Sequence, residues 1–217
     1  MLKLRRALVV GAVALAPFAL GAQQVITFDD VTSPTQLSAG YAGFDWRRFT
    51  VVNGTTLGAG YANAVESPDN VAFGSGEEYI STMSSSSLFT FNSGYFTSAF
   101  EDGATMTVKG YTSPVGYPPP EDPFPYGPGA EQFFAQFVIN TEAPLFVQLD
   151  WAGIYRITFT SHGGTAPPPS HEPGGDGYFA VDNIAVNYEI TPEPSGVVLI
   201  ATGLGLLAVR RRRARRG

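Results

Sequence analysis

From residue 24 to residue 190 no stretch repeats its apolar side chains every three to four positions. This part of the chain therefore has no stripe with which a helix could pack. What recurs is short alternating or aromatic-rich runs, each ended by Gly, Pro, Asn or Ser. Strands are predicted at 25–28, 49–52, 70–73, 78–81, 88–91, 96–100, 104–111, 132–140, 145–150, 154–161 and 177–188. In 104–111, Thr105, Thr107 and Lys109 point one way while Met106 and Val108 point the other. In 154–161, Tyr155, Ile157 and Phe159 form the expected core side, and Ile154, Arg156, Thr158 and Thr160 the solvent side. Many short strands divided by turn signals predict an all-β domain, an antiparallel β-sandwich over residues 23–190.

Two segments are predicted to be loops of that domain. Residues 113–129 carry seven prolines, Pro114, Pro118, Pro119, Pro120, Pro123, Pro125 and Pro128, and proline has no N–H for a strand ladder. Residues 161–176 hold four more, with both histidines, His162 and His171.

The chain contains no cysteine, which excludes disulfides, thiolate catalysis and zinc–thiolate sites. Its formal charge of -6 conceals a segregation. Of the 13 basic residues, three precede residue 7 and six follow residue 209, leaving Arg47, Arg48, Lys109 and Arg156 between them. The middle of the chain is thus strongly acidic. It lacks the basic face that nucleic-acid phosphates require, so nucleic acid is excluded as a partner.

The ends read differently. Lys3, Arg5 and Arg6 precede an apolar run at 7–20 and small residues at 19–22, the pattern of a secretory signal peptide over residues 1–22. At the other end, Pro192-Glu193-Pro194 precedes an apolar segment at 196–209 and the cluster Arg210 to Arg216. Fourteen helical residues span about 21 Å, short of the roughly 30 Å hydrocarbon core, a gap that snorkelling arginines and local thinning can close. A short C-terminal transmembrane helix is therefore expected, with its arginines cytoplasmic and the acidic domain outside.

Residues 191–217 resemble the PEP-CTERM sorting signal of bacterial surface proteins, through Pro192, Glu193 and Pro194, the apolar segment and the arginines. Thr191 departs from the hydrophobic residue usual before the motif. The resemblance implies processing by an exosortase-type membrane enzyme, a passage from membrane anchor to cell surface or extracellular matrix, and a host that makes extracellular polysaccharide.

Two motifs near the ends of the domain form a possible pair: Phe28-Asp29-Asp30 early and Val181-Asp182-Asn183-Ile184 late. With Tyr41-Ala42-Gly43-Phe44-Asp45-Trp46, they resemble the strands of jelly-roll carbohydrate-binding and lectin-like modules. In some of those modules the first and last strands are neighbours, and acidic groups there hold a structural calcium. Asp29, Asp30, Asp182 and Asn183 are the candidate oxygen ligands here, and calcium the candidate ion. Sugars stack their C–H faces on aromatic rings, which makes Trp46 and Trp151 candidate ligand contacts.

No nucleophile or metalloprotease motif is present. His162 and His171 lie in a proline-rich segment, a poor platform for a triad. The expectation is a non-enzymatic exported protein that associates with polysaccharide. A polysaccharide hydrolase and a purely structural or adhesion protein are the alternatives.

Overall fold

The computed structural model describes residues 23–74, 79–112, 131–166 and 177–188. The expected signal peptide, the whole of the 113–129 loop, most of the 161–176 loop and the 191–217 tail with Pro192, Glu193 and Pro194 lie outside them. In chain order the described strands are β1 (Gln23–Ile26), β2 (Thr35–Gln36), β3 (Asp45–Arg47) and β4 (Phe49–Asn53). Two short helices follow, α1 (Gly54–Leu57) and α2 (Ala59–Asn63). Then come β5 (Asn70–Gly74), β6 (Ser81–Ser98), β7 (Ala104–Tyr111), β8 (Glu131–Ile139), β9 (Leu145–His162) and β10 (Phe179–Tyr188). Every pairing between them is antiparallel.

β6 and β9 are 18 residues long; β6 takes in the end of the predicted run 78–81 with 88–91 and most of 96–100, and β9 joins 145–150 and 154–161. They bend together. The pairs Ser84↔Arg156 and Phe89↔Ile154 leave the exposed Ser86-Ser87 bulging from β6, and Gly153 opposite takes φ +71. The bend divides the sheet into two layers. One layer runs β2-β4-β5-β10, then the second half of β6 and the first half of β9, with β1 also on β10. The other holds β3, the first turn of β6, the second half of β9, β7 and β8. The register shift also carries Ile154 into the core, against the strict alternation expected for 154–161.

The layers face each other across aromatic rings. Phe49 of β4 meets Phe159 of β9 at 5.7 Å, and Phe96 of β6 meets Phe137 of β8 at 5.3 Å. Phe28, Phe44, Phe49, Phe89, Phe91, Phe96, Phe159 and Phe179 are fully buried. Each such ring contributes about 2 kcal/mol on burial, so a domain without disulfides is held by its phenylalanines.

A smaller core lies on the outer face of the first layer. There α1 and α2 press Tyr61 and Ala64 onto Val52, Val71, Ala99 and Ala180. The sequence reading misses these helices because four or five residues show no periodicity. Their signal is a cap: the Asn53 side chain accepts from Thr56 N–H at 3.2 Å. Gly60 permits the close approach. It donates to Ala99 O at 3.0 Å, and a Cβ there would lie 1.8 Å from Ser98 O. Among the described residues no helix is long and apolar enough to cross a membrane.

Candidate functional site

The two end motifs converge, on a third segment. Asp182 is completely buried, and its Oδ2 accepts from the backbone N–H groups of Glu66 and Ser67, each at 2.8 Å. Its Oδ1 accepts from Asn183 N–H at 2.6 Å, and the Ser67 hydroxyl reaches both oxygens at 3.1 Å. From the other side Asp29 Oδ1 accepts from Asp69 N–H at 3.2 Å and Asn70 N–H at 3.1 Å. The Asn70 amide donates to Phe28 O and Val31 O. Together they stitch the 66–70 loop to β10 and to the chain leaving β1. The turn sequence Ser67-Pro68-Asp69-Asn70 is the feature that sequence reasoning missed.

Electrostatics differ at the two carboxyls. Burial pushes Asp182 up to about 6, against the donors of Ser67, Glu66 and Asn183 that pull it down. At Asp29 burial acts upward too, but the donors of Asn70, Ser67 and Asp69 outweigh it and hold the carboxyl below its ordinary value. Asp30 is separate: its Oδ1 accepts from the Tyr41 hydroxyl at 2.7 Å. Burial, then Asp30, raises the tyrosine pKa well above its usual value.

This arrangement does not fit the calcium site expected from the sequence. A cation needs free oxygens, and those of Asp182 already face N–H and O–H donors. Asn183 points elsewhere, as described below. Among the described residues no three His, Cys, Asp or Glu side chains group to hold a metal.

The two tryptophans are core residues. The turn Tyr41-Ala42-Gly43-Phe44 has positive φ at both central positions, 51 and 82, and reverses the chain tightly. Trp46 then points inward, with 4% exposure. Its indole N–H donates to Tyr41 O at 2.9 Å, and Phe28 and Phe49 meet it edge to face. Trp151 is 9% exposed and stacks on Phe133 at 5.4 Å, with Gly110 close against its ring. Neither offers a free face, contrary to the exposure expected for ligand contacts. His162 ends β9 opposite Thr105, and His171 lies outside the described residues.

A different place collects exposed rings and polar groups. On the outer face of the first layer, beyond the part covered by α1 and α2, lies an open hollow of about 440 Å³. Four adjacent strands line it: β1 with Gln23 and Val25, β10 with Asn183 and Ala185, β6 with Asn92, Ser93 and Tyr95, and β9 with Phe146, Gln148 and Asp150. Tyr95 and Phe146 pair at 5.1 Å, and half of Phe146 is exposed.

Three bulges meet at this level. Between Asp182↔Tyr95 and Ala185↔Ser93, β10 carries one residue more than β6, and Asn183 there takes φ 49. Between Ala185↔Ser93 and Val186↔Phe91 the extra residue, Asn92, is on β6. Between Gln148↔Ser93 and Trp151↔Phe91 it is on β9, where Asp150 takes φ 52. Left-handed backbone at a non-glycine is uncommon and best tolerated by Asn and Asp. Bulges re-aim side chains, and these three turn one amide from β6, one from β10 and one carboxylate from β9 into the same hollow. The Asn92 amide donates to Asp150 Oδ1 at 3.2 Å and the Gln148 amide to Oδ2 at 2.6 Å. The Asn92 Oδ1 is buried and has no hydrogen-bond partner among the described residues. Of the residues singled out from sequence, Asn183 alone lines the hollow.

No family model and no curated protein sequence matches the chain. Among solved structures, the K2 cleaved adhesin domain of Lys-gingipain is similar over 76% of this chain and 98% of its own, with a TM-score of 0.44 and 12% identity. The CBM22-1-CBM22-2 tandem domain of Paenibacillus barcinonensis Xyn10C aligns with 82% of this chain at a TM-score of 0.41 and 11% identity, and this chain spans 49% of it. TmCBM61, solved with beta-1,4-galactotriose, aligns over 71% of this chain and 97% of its own, with a TM-score of 0.35 and 13% identity. The architecture given above rests on this chain's own strands.

Proposed function

We propose that the chain is a non-enzymatic exported surface protein whose hollow binds a segment of extracellular polysaccharide. One observation carries the reading: three bulges in adjacent strands converge on one hollow and set polar side chains beside an exposed aromatic pair. Regular ladders are the low-energy choice, and irregular backbone that collects polar groups in one place is a feature of built sites. Sugar recognition needs this combination, a ring for the apolar C–H face and fixed amides and carboxylates for the hydroxyls. A polysaccharide hydrolase would need a second carboxylate opposite Asp150 across the substrate. The described residues lining the hollow include Asp150 alone as an acid.

Export by the N-terminal signal, passage through a membrane-anchored form and sorting through Pro192-Glu193-Pro194 by an exosortase-type enzyme belong to the same proposal. Their support is the sequence pattern at the two ends. An immunoblot of fractionated native host cells checks this part. The surface form should migrate faster than the membrane form by the mass of the tail. An intact tail in every fraction contradicts processing.

Affinity electrophoresis of the purified protein through gel containing the host's exopolysaccharide tests the binding. Migration should be retarded, and Phe146→Ala should restore free migration while leaving the melting temperature near that of the parent. Unretarded parent protein, or retardation that survives Phe146→Ala and Tyr95→Ala, contradicts the reading.

A further inference from the structure

We infer that the hollow selects sugars by charge, admitting neutral, hydroxyl-rich chains and turning away chains that carry carboxylate or sulfate groups. The inference rests on the reading of the hollow as a sugar site and adds the chemical class of its ligand.

The hollow's charge is one-sided. Its one formally charged side chain among the described lining residues is Asp150. Two amides at the hollow, those of Asn92 and Gln148, are turned onto that carboxylate. The same turn leaves the Asn92 carbonyl oxygen buried at the site without a partner among the described residues. A carboxylate or sulfate has acceptor oxygens only. It would meet Asp150 as a like charge.

The cations of the domain lie elsewhere. Arg47 is on β3 and Arg48 follows it, Lys109 is on β7, and Arg156 is on the second half of β9. β3, β7 and that half of β9 belong to the other layer. No lysine or arginine is among the described lining residues to neutralise an acidic sugar. Like charges brought together suppress the wrong partner without strengthening the right one.

Calorimetric titration of the purified protein with three hexamers tests this: a neutral galactose oligomer, a galacturonate oligomer and a sulfated galactose oligomer, with a glucose hexamer as a second neutral probe. A neutral hexamer should bind, and the acidic ones about tenfold more weakly or not at all. Raising the salt should narrow that gap, since screening weakens repulsion. Asp150→Asn should narrow it further, to about threefold, read as the ratio of neutral to acidic affinity, because asparagine tolerates the same left-handed backbone but carries no charge. If the galacturonate hexamer binds as tightly as the neutral one, and Phe146→Ala abolishes both, the selection is wrong and the sugar site stands. The salt series on the parent protein decides the matter should Asp150→Asn fold poorly. If none of the hexamers binds, the site reading fails and the selection with it.

Discussion

The outer face of the first layer has two halves built from the same strands, β10 and β6 among them. Over one half α1 and α2 sit on Ala180, Ala99 and Val71, and the face is sealed. Over the other half no element sits among the described residues, and the face is a hollow lined by amides, a carboxylate and two rings. The registers differ accordingly. From Phe179 to Val181, β10 pairs regularly with both β5 and β6, and the residue turned toward the helices is an alanine. From Asp182 onward the register slips twice within four residues. Small side chains and a straight ladder let a helix close on a sheet. Bulges that push long polar side chains outward leave the sheet open and ready for a ligand.

The largest effect should come from the sealed half. Gly60→Val must move the Ser98 carbonyl or the α2 backbone, and we expect about 3 kcal/mol of lost stability in urea denaturation. A smaller loss would mean that the helix packs less closely than described. At the border between the halves, Asp182→Ala strands the N–H groups of Glu66 and Ser67 and should cost about 2 kcal/mol. The open half should behave in the opposite way. Phe146→Ala lowers sugar affinity about tenfold while denaturation shifts little, because half of that ring is already in water.

A gentler probe of the border is pH. The folded state holds the Asp182 proton up to about 6, and the unfolded chain releases it near 3.8. The stability this contributes is full below 3.8 and is lost as pH rises through 6. Asp29, whose folded pKa is lowered, runs the other way: its contribution is present above 3.8 and is lost as pH falls through its folded value. Asp102, held low by the Thr141 hydroxyl and N–H, does the same. Denaturation midpoints should rise from pH 7 to 5 and fall again below about 4. Asp182→Ala should flatten the upper slope and leave the lower one. The smallest effect expected is none: EGTA should leave the melting temperature unchanged, since the carboxylates at the border accept from N–H groups.

The all-β class was legible because alternation survives wherever one face of a strand is buried, as in 104–111, whose predicted bounds coincide with β7. The long bent strands that join the two layers were not. Besides a gap at 82–87, where the strand bends, the reading splits β6 near residues 92–95 and β9 near 151–153 because polar and small residues interrupt the alternation there. Those two splits fall at or beside the bulges of the hollow. The interruption marks the hollow, although by composition it reads as the end of a strand. Trp46 shows the converse error. Its ring type makes it a candidate ligand contact, but two residues of positive φ before it turn the chain so that the ring points inward. Asp29 and Asp182 both reach the 66–70 loop, where acidic side chains accept from backbone N–H groups as readily as they ligate a cation. Only the position of the 66–70 loop distinguishes the two, and that position is a long-range fact.

Hydrogen–deuterium exchange of the purified protein, with and without a saturating neutral hexamer, tests the central claim most directly. Ligand should slow exchange in β6 around 92–95, in β9 around 146–150 and in β10 around 183–185, and leave α1, α2 and residues 66–70 unchanged. Protection centred on α1 and α2, or on the opposite layer around Lys109 and Arg156, would contradict the assignment of the hollow as the binding face.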